Sequence, residues 1–142
     1  MKIVELHTLD DAQVADMLAL MAELDPLIAV TADMLRATAD SSQTHLFAAV
    51  DDSGKIAGCA SLCVFTSPTG LKASVEDVVV GSAFRGRHLG RALLEHIISY
   101  AKANLSPVDI HLTSRPHRVA ANALYRSIGF KQKDTNVYIL SI

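Results

Sequence analysis

The run Phe84–Lys102, FRGRHLGRALLEHIISYAK, gathers residue types suited to holding an anion. Arg85, Arg87 and Arg91 supply guanidinium donors, while Gly86 and Gly90 let a ligand approach the main chain closely. They stand where an apolar stripe of helical spacing begins: Leu89, Leu93, Leu94, Ile97, Ile98 and Ala101. A helix start exposes unpaired N–H groups at the positive end of the macrodipole. The backbone from Arg85 through Gly86, Arg87, His88, Leu89 and Gly90 to Arg91 therefore reads as a cradle for a pyrophosphate. The competing reading is a solvated basic turn with a glycine bend. Two familiar phosphate loops are excluded. Gly90 is followed by Arg91 and Ala92 rather than by Lys and Ser or Thr, and Gly86 and Gly90 do not fit G-x-G-x-x-G.

The elements that must position this loop follow from periodicity. MKIVELHTL reads as a strand, and DDAQVADMLALMAELDP as a helix with Val14, Met17, Leu18, Met21 and Leu24 inward, ended by Pro26. TADMLRATADS is a shorter helix capped by Thr31. THLFAAVDDSGKIAGCASLCVF gives two strands around the turn DDSGK, and after a break at TSPTG comes a strand LKASVEDVVV with an apolar end. Beyond the helix that starts near Leu89, VDIHLTS is a strand. HRVAANALYRSI is a helix with Val119, Ala123, Leu124 and Ile128 inward, stopped by Gly129, and FKQKDTNVYILSI supplies one or two last strands. The order predicts an α/β (α+β) fold over residues 1–142: a mixed, largely antiparallel sheet of six to seven strands with four helices. The strand–helix–strand from Leu71 to Ser114 is expected to be a parallel crossover, with ligand bound where the strand end at Val80 meets the helix start.

Bulk properties narrow the function classes. The 142 residues carry a formal net charge of −2, which argues against a general nucleic-acid binder. Half of the residues are hydrophobic and Trp is absent, so an aliphatic core forms without staples. Cys59 and Cys63 would lie on one strand face about 13 Å apart, too far to bridge. With no second Cys or His pair they are also a poor zinc signature, so no metal is expected and both read as buried thiols of a reducing compartment. No apolar run suits a signal core or a bilayer span, so a cytoplasmic location is the expectation, with no membrane partner.

The stretch VEDVVVGSAFRGRHLGRALLEHIISYA resembles the central acetyl-CoA motif of the GNAT acetyltransferase superfamily, a strand followed by Q/R-x-x-G-x-G/A opening a helix. Arg85 takes the first position and Gly90 the last; His88 stands where glycine is usual and must find a compatible backbone angle. NALYRSIGF, Asn122–Phe130, is similar to the family's second motif in its latter part, and the element order agrees from end to end. The resemblance implies a GNAT fold and direct transfer of acetyl from acetyl-CoA, the co-substrate, to a primary amine of a small molecule or peptide. It places the pantetheine arm along the backbone of Val78, Val79 and Val80, at a bulge where an N–H near Val78 polarises the thioester carbonyl. It makes Tyr125 the general acid for the departing thiolate and turns Asn122, at i−3, toward the cofactor.

Other roles stay open. Glu76 and Asp77 are the acidic candidates for deprotonating the amine. In a regular strand they face opposite ways, and Glu76, with the parity of Val78 and Val80, is preferred over Asp77 as base or water-relay anchor; the competing reading is that both carboxylates make structural contacts. His111 or His117 is an alternative, and Arg115, His117 and Arg118 either recognise an anionic acceptor or cap a solvated loop. An amino-sugar phosphate acetyltransferase and a non-catalytic acyl-CoA sensor domain are the competing functions. The acceptor is not legible. Dimers are common in the family, so a homodimer is among the expected assemblies.

Overall fold

The computed structural model describes residues 1–142, which form two compact units, Met1–Leu112 and Thr113–Ile142. The first unit is organised by a five-stranded sheet in chain order: β1 (Lys2–Leu6), β2 (Thr44–Val50), β3 (Ile56–Ser67), β4 (Gly70–Val80) and β5 (Ile110–His111). Its first three pairings are antiparallel, and β4–β5 is parallel, as the crossover predicts. Local chemistry sets the turns. In the β2–β3 turn the Asp51 carboxylate accepts from the Ser53 and Lys55 amides and the Ser53 hydroxyl, while Gly54 takes φ +90°.

Helices α1 (Asp11–Leu24) and α2 (Ala32–Asp40) cover one face of the sheet. Both start on side-chain caps: Asp10 forms a capping box with Gln13, and Thr31 accepts from the Met34 amide. Val14, Met17, Leu20 and Met21 of α1 pack with Leu35 of α2 against Leu6, Leu46, Ala48, Cys59 and Val79. Leu20 replaces the expected Leu18 and Leu24 in the buried stripe, as both of those are only half-buried.

Helix α3 (Leu89–Asn104) covers the opposite face through Leu89, Leu93, Leu94, Ile97 and Ala101, with Ile98 half-buried. Phe47, 1% exposed, packs edge-on against His96 and Tyr100 of α3. Fully burying a side chain of this class is worth about 1.5–3 kcal/mol, so these contacts fix how α3 lies on the sheet.

The second unit holds α4 (Val119–Ile128), ended by Gly129 at φ +115°. Its buried residue is Tyr125, whereas Val119 and Ala123 are exposed; the expected inward stripe is rotated toward Asn122 and Tyr125. Residues 131–142 form no strand, so the expected sixth and seventh strands are absent. The apolar run Val137–Leu140 is exposed and makes no ladder: an apolar pattern marks a segment as able to pair but does not by itself make it pair. VDIHLTS likewise contributes only Ile110–His111.

Candidate active site

Strand β4 carries a β-bulge where the sequence places the acetyl-CoA motif. Cys59 stands opposite Val79 and Ser61 opposite Glu76, so Asp77 and Val78 together face Ala60. Asp77 takes φ +53°, left-handed backbone that Asp tolerates better than most residues. The extra residue also inverts the expected alternation. Glu76 and Val79 oppose Ser61 and Cys59, which share one face of β3, so Glu76 has the parity of Val79 and not of Val78 and Val80.

β5 pairs with β4 only at Ala73 and Ser74. From Val75 to Val80 the β5-side edge of β4 therefore has no ladder partner and is able to accept an extended chain. Gly58 keeps the other edge tight, as a Cβ there would lie 2.8 Å from the Val79 carbonyl oxygen.

The acidic pair is electrostatically coupled. Partial burial pushes the Asp77 carboxyl up, and the neighbouring Glu76 charge pushes it further. Glu76 accepts a 2.6 Å hydrogen bond from the Ser74 hydroxyl. Both charges reach Cys63, whose pKa is raised chiefly by burial; Cys59 is pushed up to about 12, mainly by burial and then by Asp77. Both cysteines are free thiols, Cys59 buried and Cys63 half-buried, which marks them as structural rather than nucleophilic.

After β4 the chain makes one 3-10 turn, Ser82–Phe84, and reaches α3 through Arg85–His88. Gly86 takes φ +78°, and a Cβ built there meets nothing within 4 Å, so the loop is open on that side. His88 is the N-cap residue in left-handed conformation, φ +57° and ψ +24°, and its side chain caps nothing. This explains why glycine is usual at the position in the resembling motif: the backbone is left-handed, and histidine holds it at a cost. Replacing it with glycine (His88→Gly) is expected to raise stability by about 0.5–1 kcal/mol, seen as a higher urea midpoint at unchanged slope. An unchanged midpoint would show that His88 makes compensating contacts.

α1 and α2 start on side-chain caps, whereas α3, like α4, starts without one. The start of α3 presents its first amides where an anionic ligand can supply the acceptor. The arginines have other contacts: Arg85 lies 3.6 Å from Glu23, Arg87 stacks over Phe84 at 5.5 Å, and Arg91 pairs with Glu95 at 3.1 Å. The predicted cradle residues Arg85–Arg91 and the strand residues Val78–Val80 thus lie on consecutive elements of the first unit.

Asn122 and Tyr125 belong to the second unit. Tyr125 is buried, and its ring packs edge-on against Phe130 at 6.1 Å. Burial raises its pKa, opposed by the Arg118 charge. The Asn122 side-chain amide donates to the carbonyls of Arg115 and Arg118, each at 2.9 Å, so its donors hold the Thr113–Arg118 loop and leave only its oxygen for a ligand. His111, Arg115, His117 and Arg118 are exposed. Sequence reasoning missed two residues, Glu23 and Ser82, which are joined across 59 positions of chain by a hydrogen bond that no local pattern signals. No helix is long and apolar enough to cross a membrane.

Residues 12–130 match the acetyltransferase (GNAT) family. The chain is 30% identical over 79 residues to N-alpha-acetyltransferase RimI of Mycobacterium tuberculosis, a match covering 56% of this chain and 48% of that protein. The chain thus spans about half the length of that curated relative. Among solved structures it resembles ribosomal-protein-alanine N-acetyltransferase from Brucella melitensis (TM-score 0.79, 17% identity, all of both chains). It also resembles glucosamine-6-phosphate N-acetyltransferase from Arabidopsis thaliana (TM-score 0.72, 21% identity, 98% of this chain and 97% of that one). These likenesses establish the fold.

Proposed function

Because the chain belongs to the GNAT acetyltransferase family, we propose that it transfers acetyl from acetyl-CoA to a primary amine, with the β4 bulge and the start of α3 holding the co-substrate. The observation that carries this reading is the juxtaposition of an unpaired β4 edge with an uncapped helix start one short loop away. An acidic pantetheine–pyrophosphate chain needs both: main-chain hydrogen-bonding groups along its arm and N–H donors at its phosphates.

Acetyl-CoA supplies the acetyl group activated as a thioester. The amides from Arg85 to Arg91 hold the pyrophosphate, and Gly86 and Gly90 keep that backbone approachable. The N–H of Val78, at the bulge, stabilises negative charge on the acyl oxygen. Of the acidic pair, Asp77 is the better base for the amine proton: its pKa is raised toward the working range, whereas Glu76 is held by Ser74 and acts as the charge that raises it. Tyr125 gives a proton to the departing sulfur. An N–C bond forms as the C–S bond breaks, leaving an amide and a free thiol. The RimI similarity favours a peptide N-terminus as acceptor, and the amino-sugar enzyme among the structural neighbours keeps a small sugar amine as the second reading.

Saturating acetyl-CoA is expected to raise the melting temperature by about 5–10 °C, because a ligand bound only by the folded state stabilises it. No shift would refute the co-substrate reading. A panel of peptide N-termini and amino-sugar phosphates with labelled acetyl-CoA then separates the two acceptors.

A further inference from the structure

Glu23 occupies the last turn of α1, where the negative end of the helix dipole opposes a carboxylate. Nothing about α1 itself accounts for an acid there, and a broken local rule points to a role beyond the helix. That role is visible across the fold. Glu23 Oε2 accepts a 2.8 Å hydrogen bond from the Ser82 amide, Oε1 accepts a 3.3 Å bond from the Ser82 hydroxyl, and Oε2 lies 3.6 Å from an Arg85 guanidinium nitrogen. Ser82 opens the 3-10 turn between β4 and the α3 start, so one carboxylate grips both ends of the segment that precedes the cradle. Close packing reinforces the grip. Gly81 donates to the Ala57 carbonyl, and a Cβ on it would stand 3.2 Å from the Leu20 side chain one turn earlier on α1.

We propose that Glu23 is a positioning residue for the acetyl-CoA loop: from α1 it sets the path of Ser82–His88 and holds Arg85 in register for the phosphates. The inference rests on the reading of this loop as the acetyl-CoA cradle. Its physical basis is preorganisation. A loop without its own cap or staple must be ordered on binding, and a carboxylate that satisfies the first amide of the turn and steers a cation lowers that ordering cost. It also makes the cradle depend on the position of α1, so displacement of that helix would be felt at the cofactor.

The test compares Glu23→Ala and Glu23→Gln with the wild type, using coenzyme A as calorimetric ligand, steady-state kinetics and amide hydrogen exchange of the ligand-free protein. Glu23→Ala should weaken coenzyme A binding and raise the KM for acetyl-CoA by about tenfold, the scale of losing a charge-assisted hydrogen bond, with kcat held. Exchange should quicken across Ser82–His88. Glu23→Gln, whose amide oxygen still accepts from the Ser82 amide, should recover most of the affinity. If the alanine variant is too unstable to purify, Glu23→Asp, which withdraws the carboxylate by one methylene, is expected to show the same split. Unchanged affinity and exchange in a wild type that binds coenzyme A would overturn the positioning role alone. Parallel losses in kcat, acceptor KM and stability would reduce Glu23 to a structural residue. A wild type that does not bind coenzyme A would remove the cradle reading and this inference with it.

Discussion

Tyr125→Phe is expected to lower turnover by about 10²–10⁴ while leaving coenzyme A affinity within a few-fold of wild type. The substitution is clean because the ring is already accounted for. Tyr125 is buried and edge-packed on Phe130, and the Phe130 and Gly129 amides close the end of α4 on the Tyr125 and Arg126 carbonyls, contacts that phenylalanine retains. Only the hydroxyl is lost, so kcat and kcat/KM should fall together, the pattern of a group that acts in the transition state. The raised phenol pKa adds a second expectation. Burial keeps Tyr125 protonated through neutral pH, so a loss of wild-type rate from its ionisation should begin only above the ordinary phenol value of about 10. Unchanged turnover in the variant would remove Tyr125 from the chemistry and leave it as a packing residue of α4.

What was legible in the sequence tracks how local the signal is. The α3 stripe, the Thr31 cap, the DDSGK turn and the parallel crossover are written in neighbouring residues, and all stand in the structure. The loop from Arg85 to Gly90 was located the same way, because glycines and arginines at a helix start are a local pattern. Its backbone angles were not legible, yet the departure at His88 pointed to them: histidine in place of glycine marks the left-handed residue. The failures are non-local. Parity counting along SVEDVVV assigned Glu76 to the face of Val78, and one extra residue opposite Ala60 reversed it. The tail DTNVYILSI has the composition of a strand, but composition alone does not make a segment pair. The helix α4 stripe was placed from apolar residues alone, whereas the buried position is a tyrosine flanked by the polar, loop-holding Asn122. Glu23 carries no motif and becomes visible only when α1 is laid beside Ser82.

Asp77→Asn is expected to lower turnover by about 10²–10⁴ while making the folded protein more stable near neutral pH. Asparagine tolerates left-handed backbone as aspartate does, so φ +53° and the bulge should survive and the change is one of charge. The sign of the stability effect follows from linkage. The fold raises the Asp77 pKa above its unfolded value, so folding favours the protonated form; that contribution is fully present below the unfolded pKa and is lost as pH rises through the folded one. At neutral pH the wild type holds an ionised carboxylate beside Glu76 at a residue largely open to solvent, so asparagine relieves a small, solvent-screened penalty. The stability gap between variant and wild type should therefore close as pH falls through the carboxylate range. The same raised pKa fixes the kinetics. A base must be unprotonated, so wild-type kcat/KM should fall on the acid side with an apparent pKa above the ordinary value of 3.8, and that limb should vanish in the variant. Glu76→Gln separates the two carboxylates. It removes the charge that helps to raise Asp77, so the acid limb should move to lower pH with turnover largely kept. If Glu76→Gln instead abolishes turnover while Asp77→Asn does not, the base is Glu76, and the strained residue at the bulge serves only to open the strand.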